Sequence, residues 1–170
     1  MRRSTIIGML AGLFTLSAAL PTTTSSTSAI ATPIPTQTLT AEILLGSALR
    51  PIPVPGGARL IEPITGGTVN GVINGTISGG FASPILTSNG TIHQVSIYVY
   101  GLTSTNQSFF VRETGVGPKT GQVTRLEIEA GGHGPGDEVD LYDTFILARV
   151  EPNKAETAVS VQGYAVPQPV

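Results

Sequence analysis

The sequence predicts an all-β fold, a single antiparallel β-barrel of about eight strands, with a β-sandwich as the alternative. From about residue 58 onward, apolar and polar residues alternate along short segments, and no segment has a 3.6-residue apolar period. Many of the 21 glycines and 13 prolines separate these segments. The chain has no cysteine, so disulfides cannot stabilise it. A closed barrel meets that constraint because it leaves no exposed sheet edge.

Residues 1–19 have the features of a secretory signal peptide. Arg2 and Arg3 supply the positive charge, residues 6–16 are apolar, and 17–19 are small. The apolar run is shorter than the roughly 20 residues that a membrane-spanning helix needs. We therefore expect cleavage near Ala19 and a secreted, extracellular protein with no membrane association after cleavage.

The remaining chain divides into three parts by composition. Residues 20–40 are mostly Thr, Ser and Pro, which predicts a flexible leader because so few apolar side chains cannot offset the ordering entropy. Residues 41–165 form the predicted barrel domain. Residues 166–170 are Pro-rich and predict a loose tail.

The strands are predicted from apolar alternation and from the turn residues between them. In chain order they are 43–49, 59–64, 68–77, 91–100, 107–114, 125–129, 143–151 and 157–164. Asn89-Gly90 predicts a hairpin turn, since a type I′ turn needs positive φ at both central residues. Val95, Ile97 and Val99 share one face of their strand, which we expect to be buried.

Three segments resemble an uncharacterised family. They are GGTVNGVINGTISGG at 66–80, SNGTI at 88–92 and FVRETG at 110–115. Together they resemble domain-of-unknown-function family 3237, small β-barrel proteins of bacteria and fungi, and the likeness covers residues 39–161. The resemblance implies a barrel fold and no particular activity.

The chain departs from the family pattern at positions that would carry polar groups. Asn89 stands where the family has an acidic residue in its hairpin. Val95 and Ile97 stand where the family has an acid and an arginine ahead of the tyrosine that Tyr98 matches. The resemblance therefore implies that any polar interior site of the family is absent or remodelled in this chain.

Three Asn-X-Ser/Thr triplets predict N-glycosylation, at Asn74, Asn89 and Asn106. Asn89 and Asn106 fall in predicted turns, and Asn74 falls on a predicted polar strand face. All three side chains are therefore expected to face solvent, as a glycan requires.

The candidate catalytic residues are His93, Arg112 and Glu113. His93 has the parity of the apolar face that begins at Val95, which places it near the mouth of a barrel. Arg112 and Glu113 on a nearby strand could help it to polarise a small ligand. The alternative is a solvated histidine at the end of a strand.

The other ionisable clusters indicate no metal site and no cofactor. His133 lies in a glycine-rich segment ahead of Glu138 and Asp140, but the spacing matches no standard zinc or calcium loop and is typical of a polar connection. Glu127 and Glu129 share a strand face with Arg125, which predicts a solvated face rather than a glycosidase pair. The sequence has no nucleophile elbow and no phosphate-binding loop.

Four aromatic residues lie on two successive predicted strands: Tyr98, Tyr100, Phe109 and Phe110. They could line an apolar cavity for a planar ligand, and the alternative is ordinary core packing.

Two hypotheses of function remain. In the first, a secreted barrel of fungal type holds a small hydrophobic or aromatic molecule, as a carrier or as a cofactor-free cyclase or isomerase of a secondary metabolite. In the second, the chain is a non-catalytic glycoprotein of the cell surface or matrix. Its net charge of -2 indicates no nucleic-acid partner, and its few surface charges are compatible with a homodimer. Polar groups that converge inside the barrel would favour the first hypothesis, and an all-aliphatic interior the second.

Overall fold

The fold is all-β, as the sequence predicts. A computed structural model describes residues 32–89, 93–131, 141 and 144–167, with His93 described in its backbone only. The predicted signal peptide, the leader as far as residue 31 and the last three residues of the predicted tail lie outside these residues. The part of the chain that is described contains no helix, and hence none that could cross a membrane.

Eleven strands make up the described structure. They are β1 Thr36–Leu45, β2 Ile52–Val54, β3 Gly57–Arg59, β4 Glu62–Gly71, β5 Gly75–Ala82, β6 Ile85–Thr87, β7 His93–Thr103, β8 Ser108–Gly117, β9 Gln122–Ala130, β10 Phe145–Pro152 and β11 Ala158–Val166.

Eight of these strands close into an antiparallel barrel. They follow one another in the order β7-β5-β4-β1-β11-β10-β9-β8, and β8 then pairs with β7 to close the ring. The short strands β2, β3 and β6 form an extension that joins the barrel where β6 pairs with the start of β7. Of the two predicted architectures, the barrel is therefore confirmed over the sandwich.

The leader ends earlier than the sequence indicates. β1 begins at Thr36, so residues 36–40, predicted to be flexible, are part of a barrel strand that pairs with β4 and β11. Leu39 is 4% exposed and belongs to the core. A segment rich in Thr resembles a disordered leader in composition, but β-branched threonines also suit the solvated face of a strand.

The predicted strand 68–77 is in fact a hairpin. β4 ends at Gly71 and β5 begins at Gly75, and the Asn74 side chain closes the turn between them. The Gly71 N–H donates to Asn74 Oδ1 at 3.2 Å, and Asn74 Nδ2 donates to the Gly71 carbonyl oxygen at 3.1 Å. Val69, Ile73 and Ile77 are all buried, so their spacing of four residues imitates one strand face although a turn intervenes.

The core fills the barrel lumen with mainly aliphatic side chains. Every second residue of the barrel strands points inward, and Val95, Ile97 and Val99 are buried there as predicted. At one end, called here the plugged end, Ile73, Phe109 and Leu141 belong to the buried core. The opposite end, the rim end, carries the β8–β9 and β10–β11 turns.

Gly101 and Phe109 pack together at the plugged end. A Cβ on Gly101 would lie 2.7 Å from the Phe109 ring and 2.1 Å from the Thr76 carbonyl oxygen. Since the carbonyl belongs to the paired strand β5, it cannot withdraw without moving the sheet. Gly101 thus leaves room for an aromatic ring at the plugged end of the barrel.

We expect Gly101→Ala to lower the free energy of unfolding by about 1–3 kcal/mol, because the added methyl group overpacks a closed region. Gly121→Ala is the matched control, since its Cβ would meet nothing nearer than 3.8 Å. Urea unfolding of both variants measures the difference. Equal stability of the two would contradict the tight packing described at Gly101.

Candidate ligand-binding lumen

The barrel lumen contains two small cavities, which share Ile43 as a wall residue. The cavity at the rim end, the rim cavity, has a volume of about 70 Å³. The cavity deeper in the lumen, the inner cavity, has a volume of about 40 Å³. Each is large enough for a water molecule or a small chemical group, and neither matches the roughly 150 Å³ that encloses a benzene ring.

Polar side chains from separate turns meet at the rim cavity. Its aliphatic wall is completed by Glu62, Lys119, Gln122 and Glu156. Lys119 Nζ lies 2.6 Å from Glu156 Oε1, and this ion pair joins the β8–β9 turn to the β10–β11 turn. Gln122 Nε2 donates to the Pro118 carbonyl oxygen at 2.9 Å, which holds the β8–β9 turn in place.

Glu62 is the half-buried carboxylate of this rim. Its pKa is raised, first by burial and then by the nearby negative charge of Glu156, while Lys119 acts in the opposite direction. The rim therefore combines two carboxylates with one ammonium group beside an apolar cavity. Such a rim can accept a hydrogen bond or a positive charge from a ligand whose apolar part lies in the lumen.

Glu113 is the polar residue of the inner cavity. It lies on β8 directly opposite Ile97 of β7 and Leu126 of β9, with its side chain turned inward and 2% exposed. Among the described residues around the inner cavity, all the others are apolar. The Thr124 hydroxyl, itself 1% exposed, donates to Glu113 Oε1 at 2.6 Å.

This environment favours the neutral form of the Glu113 carboxyl. Burial raises its pKa to about 7, since the charged form would lose its hydration, and the hydrogen bond from Thr124 opposes that shift only in part. The carboxyl can therefore hold or release a proton near neutral pH. That property is useful to an acid–base group in a binding site.

The structure separates the three predicted catalytic residues. Arg112 is next to Glu113 in sequence and so points to the outer face, where its Nη1 lies 3.2 Å from Glu127 Oε2. The backbone of His93 pairs with Leu86 and Gly117 at the rim end, in line with its expected place near the mouth. Its side chain lies outside the described residues. Of the three, Glu113 is the one whose described side chain reaches the lumen.

The four aromatic residues divide between the two faces of the wall. Phe109 is 3% exposed and lies inside, while Tyr98, Tyr100 and Phe110 lie on the outer face. The expectation that all four line one cavity does not hold, because neighbouring residues of a strand point to opposite faces. On the outside, the ring centroids of Phe81 and Tyr98 are 5.0 Å apart and those of Tyr98 and Phe110 are 6.3 Å apart.

The remaining sequence candidates lie at the surface or outside the described residues. Arg125, Glu127 and Glu129 occupy the outer face of β9, as predicted for a solvated strand. The asparagines at 74, 89 and 106 are exposed, which suits the predicted glycosylation, and Asn106 has a positive φ of 62°.

β6 and β7 pair as a hairpin, but residues 90–92 and the His133 segment lie outside the described residues. Where side chains are described, no three His, Cys, Asp or Glu residues are placed to hold a metal ion.

Sequence reasoning missed most of the polar groups in the lumen. Thr124 belongs to no motif, although its parity with Leu126 and Ile128 marks it as inward-facing. Glu62, Lys119 and Glu156 are far apart in the chain and meet only because the barrel closes. Over the described residues, the interior is thus mainly aliphatic, with the buried Glu113–Thr124 pair and a charged rim. This combination lies between the two interiors that the hypotheses required.

Comparison with known proteins supports the same class of fold. A conserved protein of unknown function from Rhodopseudomonas palustris has a TM-score of 0.70 at 19% identity, covering 81% of this chain and 99% of its own. A β-barrel-like protein from Acinetobacter baumannii has a TM-score of 0.67 at 16% identity, over 79% and 96% of the two chains. An enzyme from Penicillium herquei has a TM-score of 0.60 at 16% identity, over 81% and 96%.

The chain is therefore an eight-stranded β-barrel of the architecture that these proteins share. At such low identities the likeness concerns the fold alone. No protein-family model and no curated protein sequence matches the chain.

The raised pKa of Glu113 makes stability depend on pH in a defined direction. The folded state retains the proton up to about pH 7, while the unfolded carboxyl loses it near its ordinary value of 4.5. The contribution of Glu113 to the free energy of unfolding is therefore fully present below pH 4.5 and is lost as the pH rises towards 7. The difference between the folded and unfolded pKa values corresponds to a loss of roughly 3 kcal/mol in the free energy of unfolding.

We expect Glu113→Gln to abolish this contribution, so that the variant gains stability relative to wild type as the pH rises from 4.5 to 8. Glu129→Gln, on the exposed face of the adjacent strand, is the matched control and should follow wild type. Urea unfolding across this pH range measures both. Parallel pH profiles for wild type and Glu113→Gln would refute the burial of an ionisable carboxyl.

Proposed function

We propose that the barrel binds a small, mainly apolar molecule in its lumen, by way of the rim end. The observation that carries this proposal is the buried carboxyl of Glu113 beside an aliphatic cavity. Folding places an ionisable group there at a cost of stability near neutral pH, and a binding or catalytic role accounts for that cost. The polar rim formed by Glu62, Lys119 and Glu156 supplies contacts for the part of the ligand that stays near solvent.

The cavity volumes limit the ligand. With about 70 Å³ at the rim and about 40 Å³ deeper, each cavity alone has room for a small chemical group, so a whole molecule the size of 2-butanone or benzene would have to extend through both cavities or move side chains. The chemistry therefore favours a ligand with a short aliphatic portion and a polar end group. Larger ligands would have to extend past the rim.

A cofactor-free rearrangement is the catalytic form of this proposal. Glu113 would transfer a proton to or from the bound molecule, and the closed aliphatic wall would exclude water and fix the orientation of the substrate. A Penicillium herquei enzyme has a similar fold, and this supports a catalytic role because it indicates that a barrel of this kind can be an enzyme. Membership of domain-of-unknown-function family 3237 and secretion from a fungal-type cell belong to the same proposal.

Filling the rim cavity tests the proposal directly. Ala82→Leu adds a volume comparable to that cavity, and we expect it to weaken binding of 2-butanone at least fivefold, measured by shifts of ¹³C-labelled methyl groups in NMR. Tyr98→Ala on the outer face is the matched control and should bind as wild type does. The native mass spectrum of wild type should also show any co-purifying small molecule. If 2-butanone shifts no lumen methyl group in wild type, the proposal is wrong.

The outer aromatic row supports a second candidate function. Phe81, Tyr98 and Phe110 form neighbouring rings across β5, β7 and β8, and Phe81 is 43% exposed. An exposed row of this kind favours a surface-acting glycoprotein, whose partner would contact the wall rather than the lumen. The two candidates differ in outcome, since Tyr98→Ala would impair the second function and spare the first.

A further inference from the structure

Within the described part of the chain, one oxygen of the Glu113 carboxyl has a hydrogen-bond partner and the other has none. Thr124 donates to Oε1, and no further hydrogen bond or ion pair to Glu113 exists within the part of the chain that is described. The side chain borders the inner cavity, whose other described lining residues are apolar. A buried polar group without a partner costs about 1–3 kcal/mol, so Oε2 lacks a stabilising contact that a ligand could supply.

The short hydrogen bond from Thr124 to Oε1 favours a proton on the other oxygen, Oε2. The Thr124 hydroxyl lies 2.6 Å from Oε1 and 3.4 Å from the Ala148 carbonyl oxygen, and the neutral acid that keeps the shorter bond carries its proton on Oε2. Oε2 then acts as a hydrogen-bond donor at an apolar cavity. The complementary group is an uncharged acceptor.

A water molecule matches this site poorly. Buried waters typically make about three hydrogen bonds, and the inner cavity offers the Glu113 carboxyl among apolar walls. A carbonyl group needs one donor for its oxygen, and its alkyl substituents suit the aliphatic wall. A volume of about 40 Å³ is of the order of such a group.

We propose that Glu113 Oε2 donates a hydrogen bond to the carbonyl oxygen of a small aliphatic ketone, aldehyde or ester bound in the lumen. This inference rests on the proposed function and names the chemical class of the ligand. It assigns to Glu113 the role of a neutral donor that orients the ligand.

Glu113 can be distinguished from the other ionisable groups of the barrel. Glu62, Lys119 and Glu156 line the rim cavity and not the inner one. Burial raises the pKa of Glu113, and the hydrogen bond from Thr124 lowers it in part. An ordinary histidine titrates near this pH range, and β7 begins at His93. The experiment therefore includes a His93→Gln variant.

The test compares 2-butanone with 2-methyl-1-butene, in which a methylene group replaces the carbonyl oxygen. Binding of each is followed at pH 5.5 and pH 8.5 by the methyl signals of Val99, Ile128 and Val161, with the exposed Val116 and Val123 as reference signals. The affinity ratio of ketone to alkene should fall about fivefold as Glu113 ionises, which corresponds to one hydrogen bond of about 1 kcal/mol. His93→Gln should leave this fall unchanged.

Two variants at the site make the test specific. Glu113→Gln keeps a donor that does not titrate, so the ratio should stay high and independent of pH. Thr124→Val removes the hydrogen bond that lowers the Glu113 pKa, so the affinity ratio of ketone to alkene should fall at a higher pH than in wild type. The second variant leaves the carboxyl in place and provides the test should Glu113→Gln not fold.

The possible results distinguish the carbonyl contact at Glu113 from ligand binding in the lumen as such. If both probes shift the lumen methyl groups with a ratio independent of pH in wild type, the carbonyl assignment is wrong and lumen binding stands. A pH-dependent ratio that persists in Glu113→Gln also overturns the assignment. If neither probe shifts the lumen signals, the proposed function fails and the inference fails with it.

Discussion

The pairing of β7 with β8 is the interaction on which the rest of the structure depends. Without it, β7 and β8 would be the two edge strands of an open eight-stranded sheet. With it, backbone hydrogen bonds continue around all eight barrel strands. The chain has no disulfide to do this, since it has no cysteine. Closure also fixes which residues face inward, because a shift of one residue would exchange the two faces of a strand.

The buried carboxyl follows from that closure. The register of β8 against β7 and β9 turns Phe109, Val111 and Glu113 inward and sends Arg112 to the outer face. A carboxyl in an aliphatic lumen lowers the stability of the barrel whenever it is ionised. Thr124 reduces that cost with one hydrogen bond to Oε1, and the proposed ligand would contact the other oxygen. Structure and proposed function are thus connected through a single inward-facing residue.

The sequence predicts the fold more fully than the site, for reasons that specific residues illustrate. Val95, Ile97 and Val99 alternate with polar neighbours, so their burial follows directly from the pattern. In β8 the run Phe109-Phe110-Val111 is apolar on both faces, so alternation there cannot decide whether Arg112 or Glu113 points inward. The site also needs residues that sequence separates widely, since Lys119 and Glu156 meet only through two adjacent turns.

The protonation state of Glu113 is the most direct test of the account. Its side-chain carboxyl carbon can be followed by ¹³C NMR through a pH titration of the full chain, with Glu113→Gln to assign the signal. We expect a midpoint near pH 7, because the carboxyl is buried in the lumen and bonded to Thr124. A midpoint near the ordinary value of 4.5 would show a hydrated carboxylate and would contradict the central claim.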